Sequence, residues 1–166
     1  MFIITAMAIS FVLTANVSGL RINEIMYDPN QGNDNFNEWV ELYNDEDKDI
    51  DLEEYTLCNK TLLQGYIDTN GNLYNEGGFI LKVGEYAMIT DGGSGTEVYE
   101  NFDVSDEALD LHIEPASLCG GALSNSGDTI TLEKDEEIID EVIYEDEANE
   151  GYSLEFISGD FVESLE

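Results

Sequence analysis

Short bursts of apolar residues, separated by clusters of Gly, Asn, Asp and Ser, run along most of this chain. Helical periodicity is hard to find, and short bursts bounded by turn formers are typical of β-strands. The pattern predicts strands at Leu20–Met26, Glu38–Tyr43, Tyr55–Cys58, Phe79–Val83, Tyr86–Thr90, Thr129–Glu133, Ile138–Tyr144 and Tyr152–Ile157. A series of short strands without intervening helices predicts an all-β sandwich or barrel.

Three further features of the pattern lead to specific predictions. Tyr66–Tyr74 is predicted to be a hairpin, because Asn70-Gly71 favours the positive backbone angles of a two-residue turn. Residues 91–116 are weakly patterned and are predicted to be a long loop with one helical turn near Glu107–Leu109. Trp39 is the only tryptophan and lies on a strand expected near the centre, so a core role is preferred over ligand binding.

The N-terminal segment reads differently from the rest of the chain. Residues 1–19 carry no charged side chain, and their apolar stretch ends in small residues. This is typical of a secretory signal peptide cleaved after Gly19, although no basic residue precedes the apolar part. The alternatives are a retained N-terminal anchor and a strand of the domain. Residues 20–166 show no repeat and no linker and are predicted to form one domain, with no membrane span after signal removal.

The net charge of the chain limits the classes of molecule that we expect it to bind. The chain has 38 acidic and 5 basic residues, a net charge of −33, while its 42% hydrophobic content argues against wholesale disorder. Such a surface repels phosphate backbones, so nucleic acid is not an expected partner. The first explanation of the acidity is adaptation to high salt, in which a dense carboxylate surface stays hydrated. The second is calcium capture at an outer surface.

Residues suited to catalysis are scarce. His112 is the only histidine, which excludes zinc sites with two or three imidazoles. No nucleophile-elbow sequence accompanies it, and it is interpreted as a surface or packing residue. Carboxylates are so abundant that sequence cannot select the spaced pair that a glycosidase needs. No enzymatic activity and no cofactor are predicted.

One loop offers weak candidates for calcium. Asp68, Asn70, Asn72 and Glu76 supply oxygen atoms, which hard cations prefer. The spacing departs from that of an EF-hand, since glycine comes too early and no glutamate follows at the twelfth position. The same residues suffice for a hairpin turn, which is the preferred interpretation, so no metal site is assigned. The acidic loops at 28–34 and 45–51 are likewise interpreted first as solvated loops and second as cation sites.

Covalent modification is expected at two places. Cys58 and Cys119 are the only cysteines, and in an exported chain they are predicted to form a disulfide. In a reducing compartment they would be buried free thiols. Asn59-Lys60-Thr61 matches the N-glycosylation acceptor pattern, which makes Asn59 a weak candidate because three-residue matches arise often by chance.

An ordered series of segments runs from residue 20 to about residue 157. Its members are Ile22–Pro29, Glu38–Asn44, Asp49–Leu52, Tyr55–Leu57, Tyr86–Thr90, Leu123–Leu132, Ile139–Tyr144 and Gly151–Glu155. The series resembles the lamin-tail domain family, of the prokaryotic, exported type. The resemblance implies an immunoglobulin-like β-sandwich without catalytic activity.

The family also frames the functional expectation. Its prokaryotic members are typically exported and are often attached to hydrolases or surface proteins. This chain differs in its acidity and in a hairpin inserted at Leu62–Gly78, and we expect it to have no attached domain. We therefore expect a secreted or cell-surface module that binds or scaffolds, with a protein or another cell-envelope component as its partner. The alternative is an accessory domain of a secreted hydrolase, stabilised by calcium.

Overall fold

β-Strands make up most of the regular secondary structure in the described part of the chain. The computed structural model describes residues 19–114 and 117–164, so the predicted signal peptide lies outside the described residues except for Gly19. The strands are β1 (Leu20–Met26), β2 (Trp39–Asn44), β3 (Ile50–Asp51), β4 (Tyr55–Leu57), β5 (Lys60–Gln64), β6 (Tyr66–Ile67), β7 (Leu73–Tyr74), β8 (Ile80–Leu81), β9 (Tyr86–Asp91), β10 (Leu109–Ile113), β11 (Asp128–Lys134), β12 (Glu137–Tyr144), β13 (Leu154–Ile157) and β14 (Asp160–Glu163).

The helical elements are short. The α-helical turns are α1 (Asp34–Asn37) and α2 (Val98–Asn101), and 3-10 turns occur at Leu52–Glu54 and Leu118–Gly120. Asn33 caps α1, since its side chain accepts a hydrogen bond from the backbone N–H of Asn35. No helix within the described ranges is long and apolar enough to cross a bilayer.

Ten strands form one strongly curled sheet. Their order is β12-β11-β4-β5-β10-β9-β2-β1-β13-β14, and neighbours are antiparallel except for the parallel pair β9 and β10. The start of β5 pairs with β4 and its end pairs with β10, so this strand passes from one layer to the other. We call β12, β11 and β4 the smaller sheet, and the strands from β10 to β14 in that order the larger sheet. The predicted all-β sandwich is confirmed.

The two layers also meet at the far side of the curl. The backbone N–H of Ile22 in β1 donates to the carboxylate of Asp140 in β12 at 2.8 Å. Burial raises the pKa of Asp140, whereas hydrogen bonds from Ile22 and Glu141 and the charge of Arg21 lower it. This contact joins the edge of the smaller sheet to a central strand of the larger one.

The main hydrophobic core lies between the layers. Its side chains come from alternate positions of facing strands, as the two-residue period of a strand requires. The fully buried members include Ile22, Val40, Leu42, Ile89 and Leu111 of the larger sheet and Leu57, Ile130 and Leu132 of the smaller sheet. Burying each such side chain contributes about 1.5–3 kcal/mol, more than a typical hydrogen bond, so this core is the main source of stability.

Residues 91–116 differ from the prediction. The loop contains β10, which pairs in parallel with β9, and its helical turn lies at Val98–Asn101 instead of Glu107–Leu109. The prediction was wrong because β10 is stabilised by a partner distant in sequence. A second difference is β14, which pairs with β13 after the strand predicted to close the domain.

The predicted hairpin at Tyr66–Tyr74 is present, since β6 and β7 pair in antiparallel fashion, but its connection is not the expected two-residue turn. That kind of turn lies elsewhere. Cys58 and Asn59 have positive φ angles of 49° and 61° and form the two-residue turn between β4 and β5. Asn70-Gly71 instead lies in a longer loop, in which the N–H of Asp68 donates to the carbonyl of Asn72 at 3.0 Å. The inserted segment is also shorter than predicted, since residues 62–64 belong to β5 and pair with β10.

The predicted disulfide between Cys58 and Cys119 is present in the structure, with the two Cα atoms 5.0 Å apart. It joins the β4–β5 turn to the 3-10 turn that precedes β11. The bond therefore ties a loop end to the smaller sheet.

Candidate functional site

The larger sheet has a second face that points away from the main core. Val40 and Leu42 of β2 are fully buried in that core, so the alternate residues Trp39 and Glu41 point to the opposite side. The register places Glu24 of β1 beside Glu41. We call this side the outer face.

Residues 98–108 cover part of the outer face, and we call them the covering segment. Val98 is fully buried against Met26, Trp39 and Met88 in a small second apolar cluster. Phe102 meets the Trp39 ring edge-on, with the ring centroids 6.1 Å apart. Trp39 is thus buried, with 6% of its surface exposed, which agrees with its predicted core role, although it packs in this second cluster and not between the two layers.

Clefts lie along the covering segment, among them the following three. The hairpin cleft, about 480 Å³, is lined by Tyr99 and by residues 75–77 and 104–110 except Glu107. The tryptophan cleft, about 360 Å³, lies between Trp39, Tyr86 and Phe102. A third cleft, about 330 Å³, lies on the other side of Trp39 and Phe102, towards β13. Ser105 lines both of the first two clefts, which makes the covering segment their shared wall.

The hairpin cleft is bordered by a stack of tyrosines. The ring of Tyr66 lies between those of Tyr74 and Tyr99, with centroid distances of 5.2 Å and 3.7 Å. The Tyr99 hydroxyl donates to Asp110 at 2.7 Å, and burial together with this carboxylate raises the pKa of Tyr99. The side-chain amide of Asn75 donates to the other oxygen of Asp110 at 2.7 Å. These bonds hold the hairpin against the covering segment.

The tryptophan cleft is bordered by adjacent carboxylates. Glu24 has Glu41 on one neighbouring strand and Glu155 on the other. Burial raises the pKa of Glu41 to about 7, a hydrogen bond from Asn23 at 2.8 Å opposes this, and the charges of Glu24 and Glu155 add to it. Burial likewise raises the pKa of Glu24, against a hydrogen bond from Ser153. Like charges on neighbouring strands destabilise a sheet, so these positions favour a cation or a proton.

The calcium candidates do not come together as one set. The carboxylate of Asp68 accepts the backbone N–H groups of Asn70 and Asn72 at 2.9 Å and 2.8 Å, and also their side-chain amides. Hydrogen bonds from Asn72 and Asn70 lower the pKa of Asp68 to about 2. Glu76 lies beyond β7 and lines the hairpin cleft. Asp68 therefore acts as the acceptor that shapes the turn, which agrees with the preferred interpretation of this loop, and calcium binding there stays the weaker alternative.

A second group of acids lies at one end of the sandwich. Glu38 is 2% exposed and accepts the backbone N–H of Leu123 at 2.8 Å. Burial raises its pKa to about 7, against this hydrogen bond, and the charges of Asp34, Asp91 and Asp128 add to the shift. Within residues 19–114 and 117–164, no group of three or more His, Cys, Asp or Glu is placed to hold a metal ion.

In the acidic loop at 28–34, the amide of Asn125 donates to Asp28 at 2.6 Å and to Asp34 at 3.3 Å. In the loop at 45–51, Asp45 pairs with Arg21 at 3.3 Å, and Asp49 accepts the N–H of Val83 at 3.2 Å. These carboxylates connect loops to one another and to the sheet.

Two other candidate residues have clear positions. His112 lies in β10, is 4% exposed, and its Nδ1 atom hydrogen-bonds with the carbonyl of Gly65 at 2.9 Å. It is thus a packing residue in a strand and not part of a loop. Asn59 is exposed in the β4–β5 turn, and its glycosylation stays a prediction.

The residues that border the clefts were not identified as candidates from the sequence. In the sequence, nothing distinguishes Glu24, Glu41 and Asp110 from the other acidic residues, or Tyr99 from the other tyrosines. Alternation in β2 did place Trp39 and Glu41 on one face. Glu24 lies beside Glu41 because of the register between β1 and β2. Trp39 is buried because the covering segment packs on it.

Comparison with known proteins agrees with this architecture. No curated protein matches the chain. The family model of the lamin tail domain matches residues 14–146. Its immunoglobulin-like, non-enzymatic fold agrees with the sandwich described above. Since the match covers well over half of the sequence, the chain belongs to the lamin tail domain family.

Proposed function

We propose that this protein is a non-catalytic module of the cell exterior that binds its partner through the outer face of the larger sheet. The observation that carries the proposal is the grouping of the three clefts along one covering segment. Binding sites are typically concave and combine apolar walls with a few placed polar groups. The proposed partner is a component of the cell envelope.

Three further observations support the non-catalytic and exported parts of the proposal. The single histidine is buried in a hydrogen bond to a backbone carbonyl and lines neither the hairpin cleft nor the tryptophan cleft. Persistent disulfides are typical of oxidising compartments, and Cys58 is bonded to Cys119. The hydrophobic segment at residues 1–19 supports export for an independent reason.

The test measures retention of the purified protein on cell-envelope material, with and without calcium. Ser105→Arg places a bulky side chain at the shared wall of two clefts. Ser126→Arg is the matched control, since Ser126 is equally exposed but lies in the turn before β11. We expect Ser105→Arg to abolish most of the retention and Ser126→Arg to leave it intact. Equal retention of both variants would exclude the outer face as the binding surface.

A further inference from the structure

We propose that the tryptophan cleft binds an organic ammonium cation, an inference that rests on the proposed function and names the ligand class of one of its clefts. The first support is the composition of the walls. Trp39, Tyr86 and Phe102 supply aromatic surface, and Met88 adds a thioether. Aromatic walls of this kind attract cations through the negative faces of their rings, with tryptophan the strongest.

The second support is the negative charge of the residues that line the cleft. Glu24 and Glu41 line the cleft, and Asp103 lies at its covering side. None of the described residues that line the cleft is Lys, Arg or His. Arg21 pairs with Asp45 at 3.3 Å and stacks over the rings of Tyr43 and Phe156. It also donates to the side chain of Asn23, which in turn donates to Glu41, but Arg21 does not line the cleft. The carboxylates that line the cleft therefore favour an external cation.

The third support is an unsatisfied polar group. Trp39 is 94% buried, since 6% of its surface is exposed, and it borders the clefts on both of its sides. Its indole N–H has no hydrogen-bond partner among the described residues. Buried polar groups are normally hydrogen-bonded, so this donor is an exception. The nitrogen atom is itself fully buried, so an oxygen atom of a ligand in the cleft would reach it only if the ring shifted.

The walls favour an organic cation over a metal ion. Calcium and magnesium take six or more oxygen ligands, whereas this cleft offers the adjacent carboxylates of Glu24 and Glu41, Asp103 on the covering side, and aromatic rings. No set of three or more potential metal ligands occurs in the part of the chain that the structure describes. An alkylated ammonium is weakly hydrated and can contact ring faces and carboxylates at once. The cleft volume of about 360 Å³ accommodates such a group.

Trp39 provides the measurement, because it is the only tryptophan and lies in the cleft. The purified protein is titrated with tetramethylammonium chloride while Trp39 fluorescence is recorded. Sodium chloride controls for ionic strength, and tert-butanol is the neutral analogue of similar shape. We expect a saturable change in the millimolar range with tetramethylammonium alone. A change that is linear, or that sodium chloride reproduces, would overturn the proposal.

Variants test whether the carboxylates and the ring wall carry the binding. The double variant Glu24→Gln, Glu41→Gln should weaken binding at least about tenfold, as loss of charge contacts at a desolvated site does. Glu141→Gln removes one charge from an exposed position on β12 and should leave binding unchanged. Tyr86→Leu is a second test that keeps every carboxylate, and Tyr86 is 41% exposed, so the fold should tolerate it. Unweakened binding in both cleft variants would overturn the proposal.

Two probes distinguish the source of the ammonium group. Choline represents a free or headgroup-borne cation, and Nα-acetyl-lysine methylamide represents a protein side chain. Tighter binding of either probe supports the proposal and identifies the source, whereas binding of neither contradicts it. If Ser105→Arg abolishes envelope retention while no ammonium probe binds, the outer face keeps its proposed function and the ligand class is wrong.

Discussion

Glu38 provides a sharp test of how burial controls the stability of this protein. Its carboxylate is 2% exposed, and its pKa in the folded state is raised to about 7 from 4.5, mainly by burial. One oxygen accepts the N–H of Leu123, and the other has no hydrogen-bond partner among the described residues. The folded protein therefore favours the protonated form of this group.

The sign of the pH dependence follows from proton binding. Between the unfolded pKa of 4.5 and the folded pKa of about 7, the folded protein binds more protons at Glu38 than the unfolded chain does. The stability contributed by the raised pKa is complete below pH 4.5 and is lost as the pH rises through about 7. At about 1.4 kcal/mol for each pKa unit, ionised Glu38 lowers the unfolding free energy by roughly 3 kcal/mol at pH 8.

Glu38→Gln removes this ionisation while keeping an oxygen that can accept from Leu123. We expect the variant to gain roughly 2–3 kcal/mol over the wild type on going from pH 5 to pH 8. This corresponds to a relative increase in Tm of about 5–10 °C, measured by circular dichroism at constant ionic strength. Glu141→Gln is the control, because it removes the same charge from an exposed position. Coincident pH profiles for the two variants would refute the assignment to Glu38.

The other predictions concern the disulfide, the charge and one glycine. Cys119→Ser should lower the unfolding free energy by about 4 kcal/mol, since the bond spans 61 residues, and protein from its native compartment should show no alkylatable thiol by intact mass. Molar sodium chloride should raise Tm because it screens the repulsion that comes with a net charge of −33. If micromolar calcium raises Tm and sodium chloride does not, specific cation sites such as the Asp68 loop explain the acidity better than adaptation to high salt. Gly127→Ala should lower the stability of the folded protein more than Gly120→Ala does. Both glycines have positive φ, but only at Gly127 would a Cβ atom meet the Tyr144 carbonyl, at 2.8 Å. Equal denaturation midpoints for the two variants would contradict this.

The sequence by itself determined the fold class and most of the strands. β1 has the predicted bounds, and β2, β9, β11 and β12 lie within one residue of theirs. In β11 and β12, side chains alternate between a buried and a more exposed face, and β1 and β9 are short apolar bursts bounded by turn residues. Both patterns are local, so the sequence is enough to identify these strands. The disulfide partners followed from the presence of only two cysteines. The family could be identified for a related reason, since the order of its segments is itself a sequence property.

Tertiary structure decided the rest. β10 is held by its parallel partner β9. The two-residue turn forms at Cys58-Asn59, where β4 meets β5, although Asn70-Gly71 has the stronger local signal for such a turn. The outer face depends on distant segments in the same way. Trp39 shares a face with Glu41 by alternation alone, but the β1–β2 register brings Glu24 beside them and the covering segment encloses the cleft. Local sequence fixes which way a side chain points, whereas strand register and chain packing fix what it meets.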